Sequence, residues 1–161
     1  MKASTLSLHD LTFLNVHIDV DMDFQASGSR FDFDGVQFRC DVRHGRNKNH
    51  ELPLWWVGVD LAIVSSEEKR CPYSLDVKAA GLFTVDASIP KDKEEAFVYE
   101  SGAAMVYGAI REMVASITGR SVHGVLTLPT ASFFGTFAER EQDGGHERDE
   151  PEGPEDGTTD A

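Results

Sequence analysis

LWWVGVDLAIV, residues 54–64, reads as a strand. Trp55, Val57, Val59, Leu61 and Ile63 share one parity, and Leu54, Trp56, Gly58, Asp60 and Ala62 share the other. Successive strand side chains point to opposite faces, so one face is continuously apolar and the other carries a carboxylate and small residues. With Trp55 on the core side, the adjacent Trp56 falls on the opposite side, among Leu54, Gly58 and Ala62.

The same period of two recurs on either side. Residues Leu6 to Met22 form a strand whose regular part starts at Leu14. There Leu14, Val16, Ile18, Val20 and Met22 alternate with Asn15, His17, Asp19 and Asp21. Val36, Phe38, Cys40 and Val42 alternate with Gln37, Arg39, Asp41 and Arg43, and Tyr73, Leu75, Val77 and Ala79 alternate with Ser74, Asp76 and Lys78. Clean alternation in several strands predicts an antiparallel sheet with one face on a core and one in water. HGRNKNHELP (44–53) and SSEEKRCP (65–72) are its polar connections.

After Val85 the period changes. From Ser101 to Ile117 the apolar residues Ala103, Val106, Tyr107, Ile110, Met113, Val114 and Ile117 recur at three and four, which predicts an amphipathic helix. Ser101 fits its N-cap and Gly119 its stop. Gly102 and Gly108 weaken that helix by about 1 kcal/mol each relative to alanine, and they suggest close packing against a second copy of the helix. Leu126 to Pro129 reads as a loop and Phe133 to Glu141 as a short helix. Four strands followed by helices define an α+β fold, with the helices on one face of the sheet.

The net charge of −13 is concentrated at the C-terminal end, where residues 139–161 contribute −8. That segment has almost nothing to bury, so a disordered acidic tail is expected over 143–161, after a folded domain over 1–142. A strongly acidic chain excludes nucleic acid and anionic lipid as default partners, and no apolar run is long enough to span a membrane. The N-terminus lacks the layout of a secretory signal, and two cysteines make no secreted-type disulfide framework, so a cytoplasmic protein with reduced thiols is expected.

Three constellations bear on chemistry. Asp19, Asp21 and Asp23 could hold a divalent cation, but only Gly28–Arg30 offers anything like a phosphate cradle, so a solvated face or a surface for a basic partner is the better reading. Cys40, His44 and His50 are three residues with the wrong pairing for structural zinc. Neither a nucleophile elbow nor a phosphate-binding loop is present, so no metal, cofactor or catalytic residue is assigned. The third constellation is apolar. Leu54, Trp56, Phe133, Phe134 and Phe137 exceed what so few elements can bury, which points to an oligomer interface or a groove for apolar peptide.

AGLFTV (80–85), then AIREMVASITGR (109–120), then VLTLPTASFFGTF (125–137) resemble the SecB-type export chaperones, including the SecB-like chaperones of toxin–antitoxin systems. Gly81, Leu82 and Phe83 match the end of that family's last strand, and Arg111 and Glu112 match its helix. Gly108-Ala109 replaces the family's Pro-Tyr, which marks a divergent member. The resemblance implies a four-stranded antiparallel sheet and a homotetramer built as a dimer of dimers, with Met105, Gly108, Arg111 and Glu112 on the pairing helix. It implies an ATP-independent holdase that takes unfolded polypeptides into apolar grooves, with Phe83 added to the five groove residues above. It also implies docking of the basic tail of SecA on an acidic sheet face, through Asp76 and Asp10 and, on the same reading, Asp19 and Asp21. A chaperone dedicated to one client, such as an antitoxin, is the alternative. A metal-dependent enzyme using the three aspartates is a third reading.

Overall fold

The structure, a computed structural model, describes residues 4–25, 31–47 and 54–142. The expected Gly28–Arg30 turn, His50 and the tail from Asp143 lie outside the described residues. Four strands, β1 (Leu6–Val20), β2 (Gln37–Asn47), β3 (Leu54–Val64) and β4 (Tyr73–Val85), precede two helices, α1 (Lys91–Thr118) and α2 (Thr136–Gln142). The sheet is antiparallel in the order β1-β4-β3-β2. The β1–β2 connection must therefore pass from one edge of the sheet to the other. The β3–β4 connection holds it there: Asp21 N–H donates to Pro72 O, Ser66 Oγ to Gly35 O and Lys69 Nζ to Asp34 O.

The core lies between the sheet and α1. Val57, Val59 and Ile63 of β3, Val77 and Phe83 of β4, and Val98, Ala103, Val106, Ile110 and Val114 of α1 are completely enclosed. Burial of each of the larger aliphatic side chains contributes about 1.5–3 kcal/mol. Phe83 explains the glycine two residues before it. A Cβ at Gly81 would sit 2.7 Å from the Phe83 ring and 3.1 Å from Leu8.

Strand β1 departs from the expected simple alternation. Register shifts at Leu8/Asp10 and at Phe13/Asn15 change its parity twice. Leu6 and Leu8 pair with Val85 and Phe83, Leu11 and Phe13 with Gly81 and Ala79, and Val16, Ile18 and Val20 with Val77, Leu75 and Tyr73. An extra residue in one strand turns every later side chain over. Leu14 is such a residue and is 67% exposed; Val16 after it is still 39% exposed, and core packing resumes at Ile18 and Val20. Met22 lies beyond the strand and is also exposed.

Helix α1 begins ten residues before the expected cap. Pro90 takes the N-cap position, and Asp92 and Glu94 lie in the first turn, where carboxylates favour the positive end of the helix dipole. Ser101 is an interior residue. Val98 and Tyr99 extend the buried stripe backwards from Gly102 and Ala103. The close approach at Gly102 is to the chain's own sheet: a Cβ there would sit 2.7 Å from Val57 Cγ2. Gly108 has open space beside it. Helix α2 starts later than expected because residues 133–135 form a turn, with Gly135 at φ 83° and Thr136 N–H donating to Phe133 O. Cys40 and Cys71 are both free thiols.

Candidate functional site

The β1–β2 connection and the start of β2 carry four aromatic residues that the expected site omitted: Phe24, Phe31, Phe33 and Phe38. Their rings meet edge to face in sequence, at 5.8 Å for Phe24–Phe31, 5.1 Å for Phe31–Phe33 and 6.5 Å for Phe33–Phe38. His123 continues the row between Phe24 and Tyr73, and its Nε2 lies 2.7 Å from Asp21 O. Lys69 Nζ sits 5.4 Å from the Phe31 ring and also reaches Asp32 and Asp34 O. The signal was legible in FDFDG (31–35): apolar and acidic residues alternate there, which places the rings inward and the acids outward.

Facing this row is the α1–α2 connection. Tyr107 OH donates to Pro129 O at 2.8 Å, Arg111 Nε donates to Leu128 O at 3.2 Å, and Leu126 N–H donates to Thr118 Oγ1 at 2.9 Å. Between the two segments is an open cleft of about 370 Å³, lined by Phe31, Asp32, Phe33, Asp34, Thr127 and Pro129. Its walls are aromatic rings, a proline, a threonine and two outward carboxylates. Such walls offer apolar area with few hydrogen-bonding groups. Burial pushes the Cys40 thiol up to about 11 and the Tyr107 hydroxyl up to about 12, which keeps both protonated at neutral pH.

Helix α2 lies against α1 and reaches β2 through side chains. The Phe137 ring packs against His44 at 5.8 Å and Tyr99 at 5.5 Å. Gly135 N–H donates to Glu100 Oε1 at 2.8 Å, and Arg140 Nη1 donates to Val42 O at 3.0 Å with its guanidinium over Tyr99.

The six expected groove residues do not converge. Phe83 is a correction: it is fully enclosed, filling the space left by Gly81, and belongs to the core. Phe133 and Leu54 are also enclosed, Phe133 against Tyr107. Trp56 is half-buried on the sheet face away from α1, lying across Gly45, where a Cβ would meet its indole nitrogen at 2.5 Å. Phe137 packs in the α2 contact, and Phe134 is 89% exposed.

Pairing of β1 with β4 places His17 beside Asp76, Asp19 beside Ser74 and Asp10 beside Leu82, all on the outer face. Asp19 is engaged by His17 at 2.7 Å, and Asp10 accepts from the Leu11 N–H at 2.9 Å. Asp21 is a second correction. It lies past the end of β1 and binds Arg70 through both oxygens, at 2.7 and 2.8 Å, and the guanidinium holds its carboxyl below the usual range. Towards β2 the outer face is mixed in charge: Asp60 pairs with Arg43 and Lys78, and Asp41 with Arg39. On α1, Met105, Gly108 and Glu112 are exposed, whereas Arg111 is half-buried and serves the α1–α2 connection. Among the described residues no group of three or more His, Cys, Asp or Glu side chains is placed to hold a metal ion. No described helix is long and apolar enough to cross a membrane.

This antiparallel sheet with one long helix across it and a short second helix is similar in fold to a SecB-like chaperone. The SecB-like chaperone Rv1957 of Mycobacterium tuberculosis, solved with a ChAD peptide from the HigA1 antitoxin, matches over 80% of this chain and 91% of its own. The two are 19% identical, with a TM-score of 0.51. A protein of unknown function from Streptococcus agalactiae matches over 80% of this chain and 99% of its own, at 11% identity and a TM-score of 0.48. No family model matches the sequence, and no curated protein matches it.

Proposed function

We propose that this protein is an ATP-independent chaperone that holds unfolded polypeptide in the cleft between the β1–β2 connection and the α1–α2 connection. The observation that carries the reading is the row of rings from half-buried Phe24, Phe31 and Phe33 to exposed Phe38, facing a tethered Pro129 loop across an open cleft. A SecB-like fold supports it, as does a structural neighbour solved with a bound peptide. An extended client threads the cleft, seats apolar side chains among the rings and gains affinity from many weak contacts. Phe134 and Trp56 supply further contact area, Phe134 beside the α1–α2 connection and Trp56 on the opposite face.

Service to a single client is favoured over general export, because the neighbour's bound peptide comes from one antitoxin and the outer face is mixed in charge. Docking of a basic partner such as SecA falls to Asp10, Asp19 and Asp76 at the β1–β4 side. Assembly into a tetramer uses the exposed α1 face at Met105, Gly108 and Glu112. Copurification from the native host tests the client range: one dominant partner supports the dedicated reading, and a broad mixture of preproteins supports export. Light scattering tests the assembly, with a fourfold mass expected.

A further inference from the structure

The two walls of the cleft are anchored separately. Asp21 fixes the β1–β2 connection to the β3–β4 connection: its N–H donates to Pro72 O, and its carboxylate takes Arg70. Its carbonyl closes the turn that presents Phe24, the first ring of the row, by accepting the Phe24 N–H at 3.1 Å. Tyr107 and Arg111 fix the α1–α2 connection to α1. Among the described residues one hydrogen bond joins wall to wall: His123 Nε2 lies 2.7 Å from the same Asp21 carbonyl. A carbonyl only accepts, so Nε2 carries the proton and donates, whether or not Nδ1 is also protonated. The ring is held on both sides, edge to face with Phe24 at 5.4 Å and with Tyr73 at 5.8 Å. Its backbone is held too. Gly124, at φ 73°, donates its N–H to Ser121 O, and Tyr73 OH donates to Gly124 O at 2.7 Å.

We propose that His123 is a positioning residue for client binding: it sets the spacing and register of the two cleft walls and the placing of Phe24. The inference rests on the chaperone reading and deepens it. His123 acts through its neighbours, since the cleft is lined by Phe31, Phe33, Thr127, Pro129 and the two carboxylates between and beside the rings. With the bond made, the rings face Pro129 in a preset geometry, and binding does not bear the cost of ordering the walls. With the bond lost, each wall keeps its own anchors and its apolar area, but the two move independently. The bond ties two surface connections rather than two core elements, so its loss falls on affinity more than on stability.

The test is the affinity of the full-length protein and of its His123→Phe, His123→Asn and His123→Gln variants for a reduced, carboxymethylated, permanently unfolded polypeptide, with melting temperatures and amide exchange at Phe24 followed in parallel. His123→Phe keeps the ring contacts and loses the donor. It is expected to bind roughly 3- to 10-fold more weakly, as for one lost hydrogen bond, with faster exchange at Phe24. The amide nitrogen of a glutamine side chain reaches the place of Nε2, whereas that of asparagine reaches only the place of Nδ1. His123→Gln is therefore expected to bind as the wild type and His123→Asn as weakly as His123→Phe, although His123→Gln has lost the ring that His123→Phe keeps. A residue that served packing alone would give the opposite order. Wild-type affinity in His123→Phe, or equal binding by His123→Gln and His123→Asn, overturns the proposal; should His123→Phe fail to fold, the comparison of the two amides decides. Absence of binding by the wild type itself overturns the chaperone reading instead.

Discussion

Trp55 Nε1 donates to Glu94 Oε1 at 2.8 Å in a buried contact, tying the first turn of α1 to the start of β3. The bond draws the Glu94 carboxyl below its ordinary range, with Lys91 adding to the effect. A carboxylate whose native pKa is depressed stabilises the fold above its unfolded value of 4.5, and that contribution is lost as the pH falls through the native pKa. Trp55→Phe is expected to cost about 1.5–3 kcal/mol at neutral pH, as for a hydrogen bond to a charged group. Urea titrations at pH 7 and pH 3 check this: the gap between wild type and variant narrows at the lower pH.

The two helix glycines are expected to respond oppositely to alanine. Gly102→Ala forces a methyl against Val57 and is expected to destabilise by about 1–3 kcal/mol. Gly108→Ala meets nothing and is expected to stabilise the isolated chain by up to about 1 kcal/mol. Thermal unfolding at low protein concentration separates them, and light scattering of the Gly108 variant reports any cost to assembly.

Phe83 and Phe134 were both expected in the groove, and they separate by burial. Phe83→Ala is expected to cost about 3–5 kcal/mol of stability, since it empties a close-packed site. Phe134→Ser, at a ring 89% exposed, is expected to leave the melting temperature within about 3 °C, as for a surface substitution. The same denaturation series measures both.

Charge reversal at Asp19 and Asp76 is expected to spare folding and client holding and to weaken binding to a basic SecA tail peptide, most clearly at low salt. Calorimetry at two salt concentrations checks this. Unchanged binding leaves these carboxylates as a solvated face.

The architecture was legible because β3 and β4 alternate without a miss and α1 carries an unbroken apolar stripe. Trp55 and Trp56 fell on opposite faces as their adjacency required. What escaped was local. The bulges in β1 leave no compositional mark at Leu14, and Ser101 looks like a cap because the true start is set by Pro90. The cleft was the larger omission. Which rings meet is decided by the order β1-β4-β3-β2, which carries Phe24, Phe31 and Phe33 across the sheet, and periodicity within a strand says nothing of strand order. Phe83 was drawn into the groove by a sequence motif whose physical reason, a ring filling the space beside Gly81, is packing.

The most direct measurement is suppression of aggregation of a chemically unfolded client by the wild-type protein and by a Phe31→Ser/Phe33→Ser variant. The account predicts suppression by the wild type near stoichiometric amounts. It also predicts loss of roughly 5- to 30-fold in client affinity for the double variant, at about 1–2 kcal/mol for two truncated aromatic contacts, with α1 and the sheet intact by circular dichroism. Equal suppression by a folded double variant, or none by the wild type, would contradict it.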